Sequence, residues 1–172
     1  MKRPPFIGNY RDFIQPDDCT YPGSHELLGV GSPVGRLLGL LKIGLHVEEL
    51  PPGRRTSWPH AESEEEEFIF VLEGTPQVWV DGRVYDLSPG DLAAFPSGTG
   101  IAHTFLNNSA ETVRLLVGGE AKSTNHIFYP LHPARNEECR QKGFLWDDPP
   151  SRDRGDHDGL TDQLRAHPVD PV

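Results

Sequence analysis

Between residues 37 and 130 the chain alternates short apolar runs with turn signals, and none of the runs has the length or period of a helix. They fall at 37–50, 56–62, 67–72, 77–80, 83–87, 91–95, 101–106 and 112–117, separated by Gly53, Gly74, Asp81-Gly82, Pro89-Gly90 and the Gly98 to Gly100 segment. Short strands divided by Gly and Pro predict an all-β sandwich or barrel. The sharpest local signal is Val78-Trp79-Val80-Asp81-Gly82-Arg83-Val84-Tyr85. Asp-Gly between β-branched residues predicts a hairpin with a two-residue turn and positive φ at both turn positions.

The flanks lack this pattern. Residues 1–36 are broken by Pro4-Pro5, Pro16, Pro22-Gly23 and Ser32-Pro33. They predict an irregular N-terminal arm with one short strand at 26–30. After Pro130 the composition turns polar and proline-rich. Residues 131–172 therefore read as a C-terminal tail with little core of its own, short helical turns over 133–142 and 160–166, and a place outside the barrel or across its mouth. The expected organisation is arm 1–36, barrel 37–130 and tail 131–172, without a second domain or an internal repeat.

Charge narrows the function classes. The 16 basic against 26 acidic side chains leave a net charge of −10. The basic residues form no stripe, which argues against nucleic-acid and anionic-membrane partners. No apolar run approaches the ~20 residues of a membrane span. Met1-Lys2-Arg3-Pro4-Pro5 lacks the apolar stretch of a secretory signal, so a soluble, cytoplasmic protein is expected. Cys19 and Cys139 stand in no Cys-x-x-Cys spacing and read as reduced and inert.

Four polar residues interrupt the apolar middle: His60, Glu62, Glu67 and His103. Residues two apart on a strand share a face, so His60 and Glu62 project together, as do His103, Phe105 and Asn107. Glu67 opens the next strand, where a carboxylate at the mouth of a barrel can turn inward. Two imidazoles and two carboxylates on adjacent strands form a plausible donor set for a divalent transition metal. Glu64, Glu65 and Glu66 read as surface, and Asn107 as a turn or strand-end hydrogen-bonder. Trp58, Trp79 and Tyr85 read as packing residues first and pocket lining second.

The spacing of these residues resembles the cupin superfamily, in its small single-domain form of the cupin-2 type. The first motif reads Gly53, six residues, His60-Ala61-Glu62, four residues, Glu67, six residues, Gly74. The second reads Gly90, five residues, Pro96-Ser97-Gly98, four residues, His103, three residues, Asn107. The resemblance implies a double-stranded β-helix, or jelly-roll barrel, and a metal held by His60, Glu62, Glu67 and His103, with Glu62 where the family most often has a second His. Zinc, manganese, iron and nickel all suit such a set. If Glu62 does not bind, His60, Glu67 and His103 form the two-His, one-carboxylate arrangement of non-haem iron oxygenases. The expected function is that of a divalent-metal cupin acting on a small organic molecule as an oxygenase, isomerase or lyase. The alternatives are a non-catalytic cupin that binds a sugar or organic acid, and a closed structural metal site. A homodimer is expected too, because the arm carries Phe6, Ile7, Phe13 and Ile14.

Overall fold

A computed structural model describes residues 3–169. Two antiparallel sheets face each other across one core. The larger is built from β1 (Val30–Ser32), β2 (Ile43–Leu50), β4 (Glu67–Glu73), β7 (Leu92–Phe95) and β9 (Val113–Glu120), in the order β1-β2-β9-β4-β7. The smaller holds β5 (Gln77–Val80), β6 (Arg83–Asp86) and β8 (His103–Leu106), in the order β6-β5-β8. A short pair, β3 (Ala61–Glu62) with β10 (Ile127–Phe128), continues it, because an isolated bridge joins His60 to His103 beside β8. Among the described residues the ladders do not close into one continuous barrel.

Strand alternation selects the core. Ile69 and Val71 of β4, Val78 of β5, Phe105 of β8 and Leu115 of β9 all turn inward and form one buried cluster with Leu50, Phe95 and Val113. The predicted hairpin is present: Val80 pairs with Arg83, and Asp81 and Gly82 have φ of 46° and 79°. Asp81 is itself buried, and its carboxylate accepts from Ala102 N at 3.0 Å and Arg152 Nε at 3.0 Å.

Elsewhere the elements depart from the sequence pattern. The strand expected at 26–30 lies at Val30–Ser32. The run at 37–50 is divided, with helix α1 (Val34–Leu37) followed by exposed Leu40 and Leu41 before β2 begins. Only Ala61 and Glu62 of the 56–62 run are strand, since Pro59 cannot donate to a ladder.

The segment after Pro130, expected to have little core, covers the outer face of the smaller sheet. Trp146 packs on buried Ala61, Trp79, Ala102 and Leu106, while Cys139 and Leu145 join Trp58 and Tyr129 in another cluster. Helix α2 (Pro133–Lys142) opens with proline and ends at left-handed Gly143. Helix α3 (Asp162–Ala166) is capped by Thr161, whose hydroxyl accepts from Leu164 N at 3.2 Å. Between the helices the tail crosses the hairpin turn. Gly155 N donates to Asp81 O at 2.8 Å and Trp79 Nε1 to His157 O at 2.8 Å. A Cβ on Gly82 would stand 2.2 Å from Gly155 O, so this crossing requires glycine. Backbone groups and a few aromatic rings make this docking.

Candidate metal centre

Each sheet contributes to the site through its inner face. On the larger sheet, Glu67 of β4 pairs with Gly119 of β9, which pairs with Gly44 of β2. Gly44, Gly119 and Glu67 line one cavity. Glu67 also pairs with Phe95 of β7, and the Phe95 ring lies flat under the His103 imidazole at 3.5 Å and 4°. On the smaller sheet, His60 and His103 exchange backbone hydrogen bonds, with His103 N donating to His60 O at 3.0 Å and His60 N to His103 O at 3.2 Å. Their side chains therefore leave the same face, with ring centroids 5.2 Å apart.

One donor atom each from His60, Glu67 and His103 lies within 4.8 Å of the other two. His103 Nε2 is 2.7 Å from Glu67 Oε2. The His60 ring approaches the Trp58 carbonyl through Nδ1 at 2.9 Å. A carbonyl only accepts, so the proton of the neutral ring sits on Nδ1 and the Nε2 lone pair is free. Burial, with the charge of His103, pushes the His60 pKa down and keeps that ring neutral against the pull of Glu67. Burial also acts to raise the Glu67 pKa. The hydrogen bond to His103 and the charges of His103, His60 and His46 outweigh it and hold the carboxyl below its usual range. His103 Nδ1 is buried without a partner among the described residues. A free His60 Nε2, an ionised Glu67 carboxylate and the His103 imidazole hydrogen-bonded to it are the donor types of a borderline divalent cation, so these residues fit a metal.

Glu62 lies outside the three-residue group. Asn125 hydrogen-bonds its carboxyl, whose pKa is pushed up to about 8 by burial and by the charges of Glu67 and Glu65. It lines a neighbouring cavity of about 250 Å³ with Glu65, Glu66 and Glu67. Pattern reading passed over Glu48 and His46, which share the inner face of β2. Glu48 lines the cavity of about 100 Å³ that holds His60, Glu67 and His103. Burial, with the Glu67 charge, raises its pKa to about 8. Gly29 makes room for it, since a Cβ there would stand 2.0 Å from the Glu48 carboxylate. The signal was available in Gly44-x-His46-x-Glu48, an alternation that puts polar groups on one face of an otherwise apolar run.

Trp58 and Trp79 are buried and Tyr85 is exposed. Asn107 ties loops together, donating to Leu50 O at 2.7 Å and Glu111 O at 2.8 Å.

The sequence profile described as "Cupin domain" matches residues 46–119, a span that contains His60, Glu67 and His103. Residues 46–119 are a cupin domain. Solved structures similar to this chain include a sugar phosphate isomerase from Silicibacter pomeroyi, 32% identical, covering 59% of this chain and 64% of its own, with a TM-score of 0.57. A protein from Acidithiobacillus ferrooxidans, named provisionally as a sugar phosphate isomerase, is 30% identical over 59% of this chain and 65% of its own, also with a TM-score of 0.57. The polyketide cyclase RemF from Streptomyces resistomycificus is 26% identical, covering 71% and 80%, with a TM-score of 0.55. The chain thus spans a little less than two thirds of the first two relatives. No curated protein sequence matches it. Among the described residues no helix is long and apolar enough to cross a membrane. The cupin domain supplies all three donor residues, while the arm pairs with β2 and the tail packs on the smaller sheet.

Proposed function

We propose that this cupin binds one divalent metal ion through His60, Glu67 and His103, and that it is a metalloenzyme acting on a small organic molecule. The observation that carries the reading is the convergence of those three donor residues, within 4.8 Å, on one inward-facing cavity. Zinc, manganese, iron and nickel all suit the set, and two imidazoles with one carboxylate leave coordination positions open. Bound there, such an ion polarises a substrate oxygen or lowers the pKa of water.

The chain's own residues do the rest. His60 presents Nε2 because Trp58 holds its proton, and Phe95 keeps the His103 ring in plane beside Glu67. Glu48 and Thr56 line both the site cavity and a larger groove of about 770 Å³ between β2 and the N-terminal arm. That groove is the substrate's approach. The relatives named as a sugar phosphate isomerase and a polyketide cyclase support small-molecule chemistry. Glu62, Glu65 and Glu66 beside the site disfavour a multiply charged anion, so the substrate expected here is neutral or carries little charge. The arm's exposed Phe6 and Ile7, with Leu41 ahead of β2, support a homodimer, in which light scattering would give twice the chain mass of 19.1 kDa.

Elemental analysis of protein purified without chelator or nickel resin tests the reading. About one equivalent of metal is expected in the wild type, with loss in His103→Ala. A protein that neither carries nor takes up zinc, manganese, iron or nickel would instead be a metal-free ligand-binding cupin.

A further inference from the structure

We infer that Glu26, on the N-terminal arm, is a positioning residue for His60: acting through Arg55 and Trp58, it fixes which ring nitrogen of His60 faces the cavity. The inference rests on the proposed metal reading for its purpose, while the contacts that carry it involve no metal.

The Glu26 carboxylate is buried at 6% exposure and accepts three hydrogen bonds. Arg55 gives two, from Nε to Oε1 at 2.5 Å and from Nη2 to Oε2 at 2.8 Å, and Trp58 Nε1 gives the third at 2.9 Å. Arg55, exposed by only 2%, spends Nη1 on Gly159 O in the tail at 2.9 Å. The Trp58 ring is clamped on both faces, by Tyr21 at 4.1 Å and 17° and by His132 at 4.1 Å and 12°. Pro59, the only residue between Trp58 and His60, has a fixed φ. Little freedom remains for the Trp58 carbonyl that meets His60 Nδ1.

A competitor stands beside it. Ser57 Oγ is 3.2 Å from the same Nδ1, and a hydroxyl donates as readily as it accepts. If the carbonyl withdraws, Ser57 can donate to Nδ1, the ring proton moves to Nε2, and the lone pair turns away from the cavity. The arm's carboxylate thus decides between two tautomers of a histidine more than thirty residues along the chain. Partners of this kind typically change metal affinity by roughly 10–100-fold without being ligands.

The test reads the His60 ring directly, by long-range nitrogen–proton correlation on metal-free, full-length protein at pH 7.5. The wild type is expected to hold the proton on Nδ1. Glu26→Gln keeps the shape but loses the charge, and is expected to add a population protonated on Nε2. Its Zn²⁺ affinity should fall by roughly 10–100-fold. Trp58→Phe keeps the stacked ring without the N–H and should move both readings the same way, by less. Leu115→Ala, a core truncation away from this cluster, should weaken the fold and leave the tautomer unchanged. The inference is overturned if Glu26→Gln leaves His60 wholly protonated on Nδ1, or if Leu115→Ala shifts it equally. Should Glu26→Gln not fold, Trp58→Phe decides by the same criterion. A wild type that binds no Zn²⁺ while Glu26→Gln still moves the proton would refute the metal reading alone.

Discussion

Arg55 and His60 are separated by four residues on one stretch of chain, and their surroundings contrast. At Arg55 the guanidinium meets both oxygens of Glu26 and a backbone carbonyl, and the same carboxylate takes the Trp58 N–H. At His60, a neighbouring imidazole nitrogen is buried without a partner, and Glu48 and Glu62 face no cation among the described residues. In the first, the guanidinium and the carboxylate satisfy each other and so hold the fold. The second keeps donors unmatched, at a cost in stability that a cation can offset, which is the usual mark of a binding site.

Removing one partner should break this contrast most visibly. Glu26→Ala leaves a buried guanidinium unpaired and is expected to cost about 3–5 kcal/mol. Glu67→Ala should cost the metal-free protein far less while abolishing metal uptake. Denaturant titrations of both, with metal analysis, give the comparison, and equal stability losses would erase it. Replacing both charges, as Glu26→Leu with Arg55→Met, should recover most of the loss, because hydrophobic pairs of similar volume often match buried ion pairs.

A smaller effect is expected with pH. Burial, with the Arg55 charge, lowers the His132 pKa to about 4, against the opposing charge of Glu26. The unfolded chain binds that proton near pH 6.5, so between about 6.5 and 4 it carries more protons than the folded state. Stability should therefore fall as pH drops through that window. His132→Phe, which keeps a ring against Trp58, should flatten the slope in denaturation measured at pH 7 and 4.5. The smallest expected change in metal binding is in Glu62→Gln. It should bind metal as the wild type does and, without metal, should escape the wild type's loss of stability as pH rises from about 4.5 to about 8, where the unfolded carboxyl is ionised while the folded one keeps its proton. Loss of metal in this variant would make Glu62 a fourth ligand.

How far the sequence reached follows the same division. Asp81-Gly82 announced its hairpin because the turn's geometry depends on two adjacent residues. His60, Glu67 and His103 were legible because their spacing is set by strand length and loops within the domain. Glu26 was not, since nothing local distinguishes a carboxylate destined for a guanidinium 29 residues away from one on the surface. The tail's particular contacts were not legible for a related reason: Trp146, Cys139 and Leu145 are isolated apolar residues in polar surroundings, and only the folded chain brings them onto the smaller sheet. Glu48 was passed over because it lies in a strand otherwise read as apolar.

Arg55 draws its partners from residue 26 and from residue 159, separations of 29 and 104 along the chain. During synthesis the Glu26 carboxylate precedes Arg55, whereas the Gly159 carbonyl emerges only 104 residues after it. A chain ended before that point would leave one arm of the guanidinium without its acceptor. Completion of this cluster therefore waits on a carbonyl made 104 residues after the guanidinium it meets.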